Sequence, residues 1–108
     1  MGEPLLDLSQ IIELYKEDAR RMVQKMGEDL SRWDEIQNGG HARAELRRLS
    51  HQLRGSGRTY GFRQVTRMCK AIENIVVRLE QGKLKADDNA KTSIRKKIER
   101  LVAALKGS

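Results

Sequence analysis

Among the side chains able to do chemistry, one histidine has an unusual setting. His51 lies in a pattern whose apolar residues Ala42, Leu46, Leu49, Leu53 and Tyr60 recur at helical spacing. At about 100° per residue the imidazole falls roughly 180° from that stripe, on the face a bundle helix turns to solvent. Arg47, Arg48, Arg54 and Arg58 fall within about 60° of it, and so does Gly55, one turn further on. An imidazole ringed by guanidinium groups, with a residue lacking a side chain beside it, is therefore expected on the outer surface.

The plainer reading of these residues is a solvated face. A lone surface histidine usually does nothing, and outward arginines are more often solvated than functional. Gly55 weighs against that reading, because glycine inside a helix costs about 1 kcal/mol relative to alanine. Gly57 falls near the apolar stripe, where close packing against another helix accounts for it. Gly55 has no such excuse on the exposed side; clearance for a partner's backbone beside His51 explains it.

The chemistry that fits is phosphoryl transfer to a nitrogen nucleophile. A neutral imidazole attacks a phosphoryl group in line and forms a phosphoramidate that retains high transfer potential. Neighbouring guanidinium groups disfavour imidazolium and favour negative charge on the transferring oxygens. No carboxylate in the same helix lies beside His51; the nearest acid there, Glu45, is six residues back, so a hydrolase triad is unsupported. No glycine-rich Walker sequence is present either, so the chain is not expected to bind ATP, and the phosphoryl donor must be another protein.

Four amphipathic patterns must position these groups. The first spans about residues 8–36, with Ser9 as an expected N-cap and Ile12, Tyr15, Ala19, Met22, Met26, Leu30 and Trp33 as its stripe. Gly27 could kink or end it, and Asn38-Gly39-Gly40 reads as a strong stop. The second spans about residues 41–60, closed by Gly61. The third, about 62–80, turns Val65, Met68, Cys69, Ile72, Ile75, Val76 and Leu79 inward, with Gly82 after it. The fourth, about 87–105, starts near Asp87 or Asp88, whose carboxylates suit a helix amino terminus, and carries Ala90, Ile94, Ile98, Leu101 and Leu105. Short connections between such helices predict an all-α, antiparallel up-and-down four-helix bundle formed by residues 1–108 as a single domain.

Composition agrees with this reading and removes others. The 108 residues include one Pro, one Cys and 4% aromatics, which favours helices over sheet. Cys69 cannot form an intramolecular disulfide, and two histidines leave too few soft ligands for a structural zinc site. No apolar run approaches the roughly 20 residues of a membrane span. Met1-Gly2-Glu3-Pro4 lacks the basic and apolar regions of a signal peptide. A cytoplasmic, metal-free protein is expected. The net charge of +7 is unevenly spread. Residues 1–40 hold five basic and nine acidic groups, residues 41–78 nine basic and two acidic, and residues 79–108 eight basic and four acidic. An acidic partner is therefore expected at the middle of the chain.

The run His51-Gln52-Leu53-Arg54-Gly55-Ser56-Gly57, followed by Tyr60-Gly61-Phe62 and then Cys69, Ile72 and Glu73, resembles the histidine phosphotransfer (HPt) domain of bacterial phosphorelays. Residues 11–19, Ile-Ile-Glu-Leu-Tyr-Lys-Glu-Asp-Ala, are similar to that family's first-helix segment, which usually has Phe where Tyr15 stands. The likeness covers about residues 8–82, and the last helix matches only in type. It implies that His51 is the phosphoacceptor, through Nε2, exchanging phosphate with the aspartyl phosphate of a receiver domain. Arg54 stands where the family commonly has lysine and would place positive charge at the phosphoryl group; its forked head is not equivalent to an ammonium. Gly55 would give the receiver access, and Arg47, Arg48 and Arg58 would contact it. The implied partners are response-regulator receiver domains or a hybrid histidine kinase. The receiver would bring the magnesium, so no cofactor is expected on this chain. A monomer is expected, because nothing in the four apolar stripes demands a further interface, and no nucleic-acid or membrane contact is expected.

The remaining candidates rank lower. His41 has none of the motif and is expected to be an exposed helix-end residue. Cys69, Trp33 and the methionines are expected in the core. Lys91, Arg95, Lys96, Lys97 and Arg100 form either a solvated face or a secondary contact for an acidic receiver. Two other functions stand beside phosphotransfer. One is a small basic helical nucleic-acid-binding protein, which the acidic first third and the absence of interleaved aromatics disfavour. The other is a receiver-binding adaptor that is not phosphorylated, or the phosphoacceptor domain of a chemotaxis-type kinase.

Overall fold

The computed structural model describes residues 7–106. Within them lie α1 (Leu8–Arg32), α2 (Gly39–Tyr60), α3 (Arg63–Glu80) and α4 (Asp88–Lys106), and no strand. The reading of Met1 to Pro4 lies outside the described residues. Six or seven residues at most join successive helices, so each reverses the direction of the one before. α1 packs on α2 and α4, and α3 packs on the same two. Among the described residues the diagonal pairs, α1 with α3 and α2 with α4, make no close backbone approach. The fold is an all-α four-helix bundle.

The core forms where the four stripes meet. α4 buries Ala90, Ile94, Ile98, Leu101 and Leu105, the five residues its periodicity predicts. α3 buries Val65, Cys69, Ile72 and Val76, with Met68, Ile75 and Leu79 packed at the edge. α2 contributes Leu46, Leu49 and Leu53, and α1 contributes Tyr15, Ala19, Val23, Met26 and Leu30. Each large aliphatic side chain taken from water contributes about 1.5–3 kcal/mol, which holds the helices in register. Arg20 of α1 donates to the carbonyl of Leu105 through Nε and Nη2, at 3.1 and 2.7 Å. A cation thus satisfies the carboxyl end of α4. No helix among the described residues is long and apolar enough to cross a membrane.

Three helix ends differ from expectation. Asp7, not Ser9, caps α1. Its Oδ1 accepts from the Gln10 backbone N–H at 2.8 Å, and the Gln10 side chain accepts from the Asp7 N–H at 3.0 Å. Ser9 lies inside the first turn and donates to the same carboxylate, at 2.9 Å. Those donors, the Gln10 backbone N–H first, hold the Asp7 carboxyl below its usual range. α1 runs unbroken through Gly27 but stops at Arg32, short of residue 36. There Trp33 turns fully into the core, and its carbonyl accepts from the Arg43 guanidinium. Asn38-Gly39-Gly40, expected as a stop, is instead the start of α2. A Cβ on Gly39 would stand 2.5 Å from the Trp33 carbonyl oxygen, so the glycine admits the returning chain.

Smaller differences follow from local geometry. Tyr60, expected in the core, is 39% exposed. It closes the last turn of α2 and stacks on Tyr15, ring centroids 4.6 Å apart. Gly61 ends α2 at φ 81°, in the left-handed region that favours glycine. The Phe62 N–H returns to the Gly57 carbonyl at 2.7 Å, and α3 begins at Arg63 with Phe62 before it. At α4, Asp87 Oδ1 accepts from the Ala90 N–H at 3.0 Å, so the acid before Asp88 is the cap.

Candidate functional site

The α2–α3 hairpin folds about Phe62, and His51 and Glu73 each stand eleven residues from that point. Antiparallel helices bring such mirror positions side by side. His51 Nδ1 lies 2.8 Å from Glu73 Oε2. A carboxylate only accepts, so the ring nitrogen carries the hydrogen and donates. Nε2 has no partner among the described residues. The His51 side chain is 62% exposed, whereas Glu73 is 14% exposed. The carboxylate is thus set into the helix interface and the imidazole stands above it.

Arg54 joins the pair from one turn along α2. Its Nη1 lies 2.9 Å from Glu73 Oε1, close enough for ionic contact but not aligned as a hydrogen bond. Its Nη2 stands 3.4 Å from His51 Nδ1, a longer approach than the 2.8 Å carboxylate contact. With the Nδ1 hydrogen committed to Glu73, we read this as proximity imposed by the shared acid. His51, Arg54 and Glu73 form one connected triad, in which Glu73 tempers the positive field that the arginines alone would create.

The other arginines divide. Arg47 Nε donates to Glu80 Oε1 at 2.7 Å, across to the end of α3. Arg48 lies 3.6 Å from Glu45 on its own helix. Arg58 has no ion pair among the described residues and lines a cleft at the α2–α3 corner with Gly57, Gly61, Arg63, Thr66 and Arg67. The two glycines separate as their spacing predicts. A Cβ on Gly57 would meet Thr66 Oγ1 at 2.9 Å and Val65 Cγ1 at 3.1 Å, while one on Gly55 would meet nothing within 4 Å.

Glu73 is the residue that reading α2 alone missed. It was visible only as the end of the motif; reflection of His51 about Phe62 finds it. Across the α1–α2 pair, Asp29 meets Glu45. Asp29 is 4% exposed. Burial first, then the hydrogen bond with Glu45, raises its carboxyl to about 6. Glu45 is held below its usual range, chiefly by the same hydrogen bond. Cys69 is fully buried, and burial pushes its thiol up to about 12, as suits an inert core residue. His41 is exposed at the start of α2. Among the described residues no group of three or more His, Cys, Asp and Glu side chains lies together in a way that could hold a metal ion.

With the four-helix fold and the exposed, carboxylate-backed histidine in place, comparison with known proteins is direct. Residues 10–107 match the Hpt domain family, and the chain belongs to that family. Hpt domains serve in general as histidine phosphotransfer phosphocarriers. Two curated relatives are the chemotaxis proteins CheA of Listeria monocytogenes and Listeria innocua. Each is 25% identical over 76 residues, which is 70% of this chain and 12% of the relative. The chain therefore spans only a small part of the length of these relatives. No solved structure matches it.

Proposed function

We propose that His51 accepts a phosphoryl group from the aspartyl phosphate of a response-regulator receiver domain and passes it to a second acceptor. The observation that carries this reading is the 2.8 Å contact from His51 Nδ1 to the recessed Glu73 carboxylate, which fixes the tautomer and leaves Nε2 as the nucleophile. The Nε2 lone pair forms the N–P bond as the P–O bond to the receiver's aspartate breaks, and that carboxylate leaves with the electron pair. No proton has to leave Nε2. The ring becomes cationic, and Glu73, still accepting from Nδ1, balances that charge.

Arg54 adds positive charge at the edge of the transferring group, and the bare backbone at Gly55 lets the receiver approach. Magnesium resides on the receiver in this reading. The module works as a cytoplasmic monomer, without nucleic acid or membrane contact. A hybrid or chemotaxis-type histidine kinase is a second donor, and the likeness to the two CheA proteins supports testing it beside the receivers.

The test is direct. The protein is mixed with phosphorylated receivers encoded by the same genome, and separately with phosphoramidate as a small chemical donor. Acid-labile, alkali-stable phosphate is expected on the wild type and absent from His51→Gln, with both proteins melting alike. Wild type that stays unlabelled with every donor, or a His51→Gln variant that still labels, overturns the reading.

A further inference from the structure

The arginines of α2 and α3 are not equivalent. Arg47, Arg48 and Arg54 each face a carboxylate of this chain, Glu80, Glu45 and Glu73, at 2.7, 3.6 and 2.9 Å. Arg58, Arg63 and Arg67 have no ion pair or hydrogen bond among the described residues, yet they line one cleft of about 420 Å³ at the α2–α3 corner. All three are exposed. Three like charges held beside one another with no internal counter-charge repel, and so oppose the compact state. An external acidic group would relieve that cost.

We infer that Arg58, Arg63 and Arg67 form the electrostatic docking surface for an acidic face of the receiver that exchanges phosphate with His51. The inference rests on the phosphotransfer reading and names a contact beyond it. Its placement is the main support. Arg58 follows His51 by seven residues, about 10 Å along the axis and roughly 20° around it, so a partner seated over His51 and Gly55 extends onto the corner. Arg63 and Arg67, four residues apart on α3, share a face and widen the patch across the hairpin. The cleft is open and its guanidinium groups lie in water, which suits carboxylates presented by a protein surface. A long polyanion fits less well, because the neighbouring α1 displays the exposed acids Glu13, Glu17, Asp18 and Glu28.

Charges at the rim of an interface act mainly on the rate of encounter, and salt screens them. The test therefore follows phosphotransfer between a phosphorylated receiver and the intact protein across ionic strength. The variant Arg58→Gln, Arg63→Gln, Arg67→Gln is compared with Arg95→Gln, Lys96→Gln, Arg100→Gln. The second removes equal charge from α4, diagonal to α2. The corner variant is expected to slow bimolecular transfer about tenfold at low salt, with the gap closing near about 0.5 M. The α4 variant should stay within about twofold of wild type, since its charges lie away from the docked partner. Phosphoramidate labelling of His51 should be unchanged in both, which separates docking from chemistry. An unchanged receiver rate and salt slope in the corner variant overturns the inference, as does equal slowing by the α4 variant. Salt-dependent binding of wild type to duplex DNA, lost in the corner variant, would reassign the surface to nucleic acid. Failure of phosphoramidate and receivers alike to label wild type would sink the phosphotransfer reading itself.

Discussion

On α2, Gly57 and Gly55 stand two residues apart and meet opposite surroundings. Gly57 faces α3 so closely that a single added carbon would meet Thr66 Oγ1 at 2.9 Å. Gly55 faces open space, and nothing in the fold requires it to lack a side chain. Polar groups divide the same way. Toward α1, Glu45 meets the buried acid Asp29; on the outer face, His51 meets the recessed Glu73, and Arg54 closes the triad. The inward faces of this helix are therefore constrained by space and desolvation, and the outer face by what a visitor must reach.

The largest effect that tests this contrast is on the inward side. Gly57→Val should destabilise the bundle by about 2–3 kcal/mol through overpacking, read from denaturant unfolding. Wild-type stability in that variant would mean that α2 and α3 do not meet as closely as described. The next effect belongs to the outer face. Glu73→Ala should slow phosphotransfer to His51 about tenfold or more, equivalent to about 1.4 kcal/mol in the barrier. Glu73→Gln, whose amide oxygen still accepts from Nδ1, should recover part of the rate. If both variants transfer at the wild-type rate, orientation by the carboxylate is not part of the mechanism.

Asp29 gives a pH-dependent probe of the α1 side. Its folded carboxyl titrates at about 6, against 3.8 for the ordinary group. The folded state therefore holds this proton more tightly. The associated stability is complete below about pH 4 and is lost as the pH rises through 6. Glu45, shifted downward by the same hydrogen bond, offsets part of that loss. Asp29→Asn keeps a donor toward Glu45 without a charge to bury. Its stability relative to wild type should rise by about 1–2 kcal/mol between pH 4 and pH 7, measured by thermal melts across that range. A flat difference would mean that burial beside Glu45 does not raise the Asp29 carboxyl. The smallest effect is at Gly55. Gly55→Ala should stabilise the protein by about 0.4–1 kcal/mol, because a helical site with open space accepts the methyl. Gly55→Phe should fold equally well, slow transfer from a receiver and leave phosphoramidate labelling alone. Loss of labelling by the small donor would show that the glycine serves the site itself.

How much of this was legible in the sequence depended on how far the cause lay along the chain. The five buried residues of α4 follow from periodicity alone, since apolar residues at threes and fours have one way to leave water. The outward placement of His51 follows from the same arithmetic, and so does the difference between Gly55 and Gly57. Local pattern fails where a distant residue decides a local outcome. The end of α1 depends on Trp33 turning into the core and on Arg43 reaching its carbonyl from α2. The glycines at 39 and 40 read as punctuation, yet the close passage of the Trp33 backbone is what leaves Gly39 no room for a side chain.

By itself, then, the sequence determined four amphipathic helices, the surface that bears His51 and the family to which the chain belongs. Helical periodicity and a short motif are local properties, set by residues within a few turns of one another. Only the tertiary structure decided which acid serves which base. Glu73 lies 22 residues from His51, and the contact exists because two helices return past each other about Phe62. The same packing set Arg47 and Arg54 against acids of α3 and left Arg58, Arg63 and Arg67 uncompensated. Side-chain charge is written residue by residue, but the field at a site is the sum over whatever the fold brings within reach.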